Sequence, residues 1–168
     1  MEVYQVVNED PERFFGYLFR TLPSNDSGVA HIIEHCLLAG SERYPVHDPF
    51  MTLLKGSANT FMNALTYPDR TVYPAASPLK KDFDNLFDVY TDAVFAPLLR
   101  EETFWREGVR LVCDEDGCHY EGVVFNEMLG VSADHDAIVS RFAVRTLFPD
   151  NPYSFESGGD PEAIINLT

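Results

Sequence analysis

The chain has 168 residues, 45% of them hydrophobic and 23% charged, and its 27 acidic residues outnumber 12 basic ones for a formal net charge of -15. This is ordinary globular composition, long enough for one domain with a real core and short for two. The acidic balance argues against a nucleic-acid partner, which needs a basic face, and no apolar run approaches the roughly 20 residues that cross a bilayer.

The opening stretch "MEVYQVVNEDPER" is acidic and mixed, unlike a signal or transit peptide. That fits a cytosolic protein and equally a mature or truncated chain; a bacterial cytoplasm is the expected compartment, with a mitochondrial or plastid matrix as the alternative. Residues 2–7 alternate and are β-rich, and after the turn at "NEDPE" residues 13–21 read as a second strand. "LPSNDSG" is a loop in which Asp26 or Ser27 would cap the next helix, with Gly40 placed as its C-terminal glycine. His31, Glu34 and His35 would then lie on one helix of about three turns.

A short helix is expected near 48–55. Residues 58–66 and 70–76 form a hairpin around "YPD". Ser77-Pro78 opens a helix over 79–95, with Phe83, Leu86, Phe87, Tyr90 and Val94 at helical spacing. Another helix covers about 101–109, followed by a strand pair around "DEDG". A helix follows from Gly122, with a break near Ser132–Asp136, and Gly159 or Asp160 caps a last helical start. Strands mixed with helices without βα alternation predict an α+β fold, a mostly antiparallel sheet packed with helices, over residues 1–168.

Cys113 and Cys118 flank "DEDG", so a cross-turn bond is open to them. The low, odd cysteine count favours reduced thiols. Cys113, Cys118 and His119 fit no zinc spacing well, and His47 and Asp48 read as loop and helix cap. The glycines of "SGGDP" follow no strand, so they read as a turn and cap.

The chemistry concentrates in "GVAHIIEHCLLAG". Positions four apart share a helix face, so His31 and His35 can aim their imidazoles at one metal. Glu34 lies beside that face, placed to hold a water rather than the ion. The pattern H-x-x-E-H is the inverted zinc-peptidase motif. Burying these groups without a partner would cost several kcal/mol, which metal ligation removes. A catalytic zinc site needs a third protein ligand. The chain offers many carboxylates, and Glu127 stands out because it sits in the apolar stretch "VVFNEML".

The stretches "GVAHIIEHCLLAGSERYPVHDPF", "TFMNALTYPDRTVYP", "KDFDNLFDVYTDAVFAPLLREETFWREGVRL", "EGVVFNEMLG" and "SGGDP" together resemble the pitrilysin/insulinase family of zinc peptidases, presequence protease branch. They cover nearly everything from Arg13 to Pro161 in the branch's order. The resemblance implies a metallohydrolase domain of the LuxS/mitochondrial processing peptidase type, incomplete at its C-terminal end. It implies zinc held by His31, His35 and Glu127, with Glu34 as general base in peptide hydrolysis. It also implies that Asn63 and Ala64, on an edge strand, contact the substrate backbone. Many relatives carry a second glutamate seven residues before the distal ligand; here that position is Tyr120, with Glu121 beside it. The partners implied are short unfolded peptides and the remaining domains of a longer four-domain chain, with no nucleic acid and no membrane. The N-terminal piece alone would be weakly active or inactive. The alternative is a non-catalytic relative or isolated piece serving as a zinc-binding scaffold.

Overall fold

The computed structural model describes residues 2–115 and 117–167. Its elements run β1 (Arg13–Arg20), α1 (Val29–Leu37), α2 (Pro49–Gly56), β2 (Phe61–Met62), β3 (Leu65–Thr66), β4 (Arg70–Ser77) and α3 (Lys80–Phe95). They continue as α4 (Glu101–Glu107), β5 (Arg110–Asp114), β6 (Gly117–Glu121), α5 (Val123–Ala133), α6 (His135–Leu147) and α7 (Pro161–Ile164). Every strand pairing is antiparallel, and helices cover the sheet, as the α+β expectation requires.

β4 is the centre of the main sheet. β1 runs along one side of it from Arg13↔Ser77 to Arg20↔Arg70, and β2 and β3 lie along the other. The expected strand over 58–66 is divided at Asn63-Ala64, although both pieces keep one register on β4. The cause is Pro74, which stands opposite Asn63 and has no N–H to donate. Asn63 still donates its N–H to the Pro74 carbonyl at 3.2 Å. Its own carbonyl accepts instead from the Tyr90 hydroxyl on α3, also at 3.2 Å.

α3 packs on this sheet through Leu86, Tyr90 and Val94, one turn apart and all buried. Phe15 of β1 meets Phe83, Phe87 and Tyr90 with centroids 5.3–5.6 Å apart and near-perpendicular rings, the edge-to-face geometry aromatic pairs prefer. A second core gathers Ile32, Cys36, Val109, Val124, Phe125, Met128 and Ile164. Helix α1 is shared between the two: Ile32 and Cys36 enter the second core while Leu37 enters the first. Its third face, His31, Glu34 and His35, is what remains for chemistry.

Three local expectations are corrected. Residues 2–7 form no strand and are exposed throughout, because among the described residues no neighbouring strand pairs with them. The α1 cap is Gly28, without a side-chain bond, rather than Asp26 or Ser27. The Asp26 carboxylate is drawn away by Arg145 Nη2 at 2.6 Å and the Glu156 N–H at 2.7 Å. Cys113 and Cys118 are joined in a disulfide rather than left reduced, because the β5–β6 register sets them directly opposite each other. The break expected near Ser132–Asp136 falls at Asp134, whose side chain caps α6 by accepting from the Ala137 N–H.

Candidate metal centre

The two histidines of α1 are held from behind. Gly28 enters the helix with φ 66°, and a Cβ there would lie 2.6 Å from the Gly158 oxygen and the Gly159 Cα. Only glycine permits that approach. It brings the "SGGDP" loop against the helix, where His31 Nδ1 lies 2.9 Å from the Gly158 carbonyl oxygen. A carbonyl only accepts, so this bond assigns the proton to Nδ1 and leaves the Nε2 lone pair free. His35 repeats the arrangement with a different partner: its Nδ1 is 3.4 Å from Glu107 Oε2 at the end of α4. This is the orientation by a carbonyl or carboxylate that metal-ligating histidines show.

Both Nε2 atoms face Glu127 of α5. Its Oε2 is 3.6 Å from His31 Nε2 and 3.8 Å from His35 Nε2. The edge of a tetrahedron with 2.0–2.1 Å zinc bonds is about 3.4 Å, so small side-chain movements suffice to close the set. One donor atom from each of the three residues lies within 4.8 Å of the others, the metal-competent group among the described residues. Two imidazole nitrogens and one carboxylate oxygen suit zinc, and three protein ligands leave a position open. The residues present fit the ion.

Glu127 is exposed, although the apolar stretch around it argues against a solvated face. Val124, Phe125 and Met128 turn into the core, whereas Val123, Glu127 and Val131, one turn apart, line a cleft of about 750 Å³. His31, Glu34, His35, Asn63 and Ala64 line the same cleft. Glu34 is buried, and the Thr66 hydroxyl donates to its Oε2 at 2.6 Å.

The electrostatics are those of an anionic site. Burial pulls the His35 pKa down, but the Glu107 hydrogen bond and the charges of Glu34, Glu107 and Glu127 more than offset it, leaving it above the ordinary histidine value. Burial pushes Glu107 up, yet His35 and Arg106 hold it below the usual carboxylate range. A divalent cation would balance this excess of carboxylate charge. Burial raises the neighbouring Cys36 thiol to about 11, so it stays protonated and inert.

Asn63 and Ala64 join β2 to β3 along the open edge of the sheet. The alternation that turns the main chain of Asn63 toward β4 turns that of Met62, Ala64 and Thr66 to the open side. The Ala64 N–H donates to its neighbour's Asn63 Oδ1 at 2.9 Å, so a peptide arriving there would compete with that bond.

Sequence reasoning missed Glu107, Gly158 and Thr66. Glu107 carried one signal: a carboxylate in the last turn of a helix opposes the helix dipole, so it needs another reason to be there. Among the described residues, Tyr120 and Glu121 form no hydrogen bond or ion pair with His31 or His35. Glu121 pairs on the surface with Arg110 at 2.8 Å and His119 at 3.2 Å. The disulfide removes Cys113 and Cys118 from metal binding. Asp48 caps α2 through the Met51 N–H, and His47 Nε2 accepts from Arg106 Nη1 at 2.7 Å.

The family model described as insulinase, peptidase family M16, matches residues 20–129, which include His31, Glu34, His35 and Glu127. The chain belongs to this peptidase family. It is 52% identical over 171 residues to presequence protease 1, chloroplastic/mitochondrial, of Arabidopsis thaliana, covering 99% of this chain and 16% of that protein. It is 47% identical over 171 residues to protein HypA of Clostridium perfringens, covering 99% of this chain and 18% of the relative. With the mitochondrial presequence protease of Mus musculus it shares 45% identity over 168 residues, 97% of this chain and 16% of that one. The chain thus spans about a sixth of the length of these relatives.

Proposed function

We propose that this chain is the metal-holding N-terminal part of a larger zinc endopeptidase that hydrolyses short unfolded peptides, presequences among them. The observation that supports this reading is the convergence of His31 Nε2, His35 Nε2 and Glu127 Oε2 in a cleft that also holds Glu34 and an open strand edge. A zinc ion bound there supplies a Lewis acid that acidifies water and polarises the peptide carbonyl.

The chain's own residues would do the rest. His31 and His35 present Nε2, each fixed through Nδ1. Glu34 takes a proton from the attacking water and returns it to the leaving amine nitrogen. The main chain at Met62, Ala64 and Thr66, with the Asn63 side chain, pairs an extended substrate to the sheet edge, a mode that accepts many sequences but demands an unfolded strand. The charge of -15 favours basic peptides. Full activity requires the longer protein, and the chain alone cleaves weakly or not at all. The compartment is a bacterial cytoplasm or an organelle matrix, and the relatives named mitochondrial or chloroplastic support the latter.

Two variants of the full-length protein test this. Glu34→Gln keeps zinc and loses peptidase activity; retained activity removes Glu34 as base. Glu127→Gln binds zinc more weakly; unchanged affinity removes Glu127 as ligand.

A further inference from the structure

We propose that Thr66 is the positioning residue for the catalytic carboxylate, orienting Glu34 by a hydrogen bond from the same strand that receives the substrate. The inference rests on the reading of Glu34 as base. The Thr66 hydroxyl lies 2.6 Å from Glu34 Oε2. Among the described residues no other protein group hydrogen-bonds the Glu34 carboxylate. A carboxylate rotates freely about its last torsion, whose preference is broad and two-fold. A single donor at one oxygen removes that freedom and leaves Oε1 as the atom open to a proton.

Thr66 is suited to this. A hydroxyl carries one proton to donate, and β-branching stiffens its χ1. It stands opposite the buried Thr71 of β4, and the next residue, Tyr67, fixes the chain there by donating its N–H to the Arg70 carbonyl at 2.8 Å. The carboxylate is held from the other side, because α1 is wedged between two cores. Thr66 also presents its main chain at the open edge beside Ala64. A peptide that pairs with that edge settles against the residue that orients the base, so substrate register and base geometry share one anchor. Glu34 is not a member of the three-residue metal group, so losing this bond should leave the ion in place.

The test uses the full-length zinc-loaded protein and a quenched fluorescent peptide. Thr66→Val keeps the shape and removes the hydroxyl; Thr66→Ala is the second variant should valine fail to fold; Thr66→Ser restores the donor. The expected result is a fall of about 10- to 100-fold in kcat for valine and alanine with KM nearly unchanged, and recovery to within about threefold for serine. Zinc affinity by chelator competition is expected to match wild type in all three. The proposal is overturned if valine and alanine retain wild-type kcat, if serine is as slow as valine, if the loss appears in KM, or if zinc affinity falls. Glu34→Gln separates the two readings. If that variant is active, the base assignment fails and Thr66 with it. If it is inactive while Thr66→Val is fully active, only the role of Thr66 fails.

Discussion

Replacing Glu107 by alanine should weaken metal binding without touching a ligand. Its Oε2 is the only acceptor that His35 Nδ1 has among the described residues, at 3.4 Å, and its other oxygen is held by Arg106 Nε at 2.8 Å. Removing such an outer carboxylate costs about 10- to 100-fold in metal affinity, or roughly 1.4–2.7 kcal/mol. The long contact places Glu107→Gln, which keeps an oxygen acceptor but no charge, near the lower figure. Loss of the carboxylate also removes the Glu107 hydrogen bond and charge that raise the His35 pKa, so in metal-free protein that pKa should fall. Zinc affinity is measured by chelator competition and the His35 titration by NMR, with circular dichroism to confirm folding. Glu121→Ala is the control, since Glu121 sits on the surface with Arg110 and His119 and should leave affinity unchanged. Equal zinc affinity in folded Glu107→Ala and wild-type protein, or a loss in Glu121→Ala as large as in Glu107→Ala, refutes the assignment.

Tyr90→Phe leaves the Asn63 carbonyl without the donor that Pro74 cannot supply, and denaturant unfolding should show a loss of about 1–2 kcal/mol. Arg43, and then Tyr44, hydrogen-bond Asp88 and hold its carboxyl below the usual carboxylate range. That stabilisation is complete above the ordinary carboxylate pKa and is lost as pH falls through the lowered value, so the Tm gap between wild type and Asp88→Asn should close below about pH 4. A gap that persists in strong acid would assign the effect to packing.

The parts of the molecule legible in sequence are those set by local period. His31 and His35 share a face because four residues make about one helical turn, and Leu86, Tyr90 and Val94 find the sheet for the same reason. The parts that were not legible depend on distant chain. Gly158 reaches His31, and Glu107 reaches His35, only because two cores clamp α1 between loop and helix. Residues 2–7 have the composition of a strand, but strand propensity is realised only against a partner. Asp26 has the right chemistry for a cap, and a cation and a backbone N–H elsewhere in the fold compete for it successfully. The cysteine pair shows register outweighing an argument from compartment.

The two imidazoles are tuned by different means. His35 answers to a side chain, so its basicity can be adjusted by exchanging one residue for another of different charge. His31 answers to a peptide oxygen that no substitution can delete. A Cβ at Gly158 would meet the sulfur of Met128 at 2.8 Å, so mutation there acts by bulk, displacing the end of the Met128 side chain beneath the loop. Natural variation could therefore vary one half of the centre chemically, while the other half tolerates only what leaves the loop where it lies.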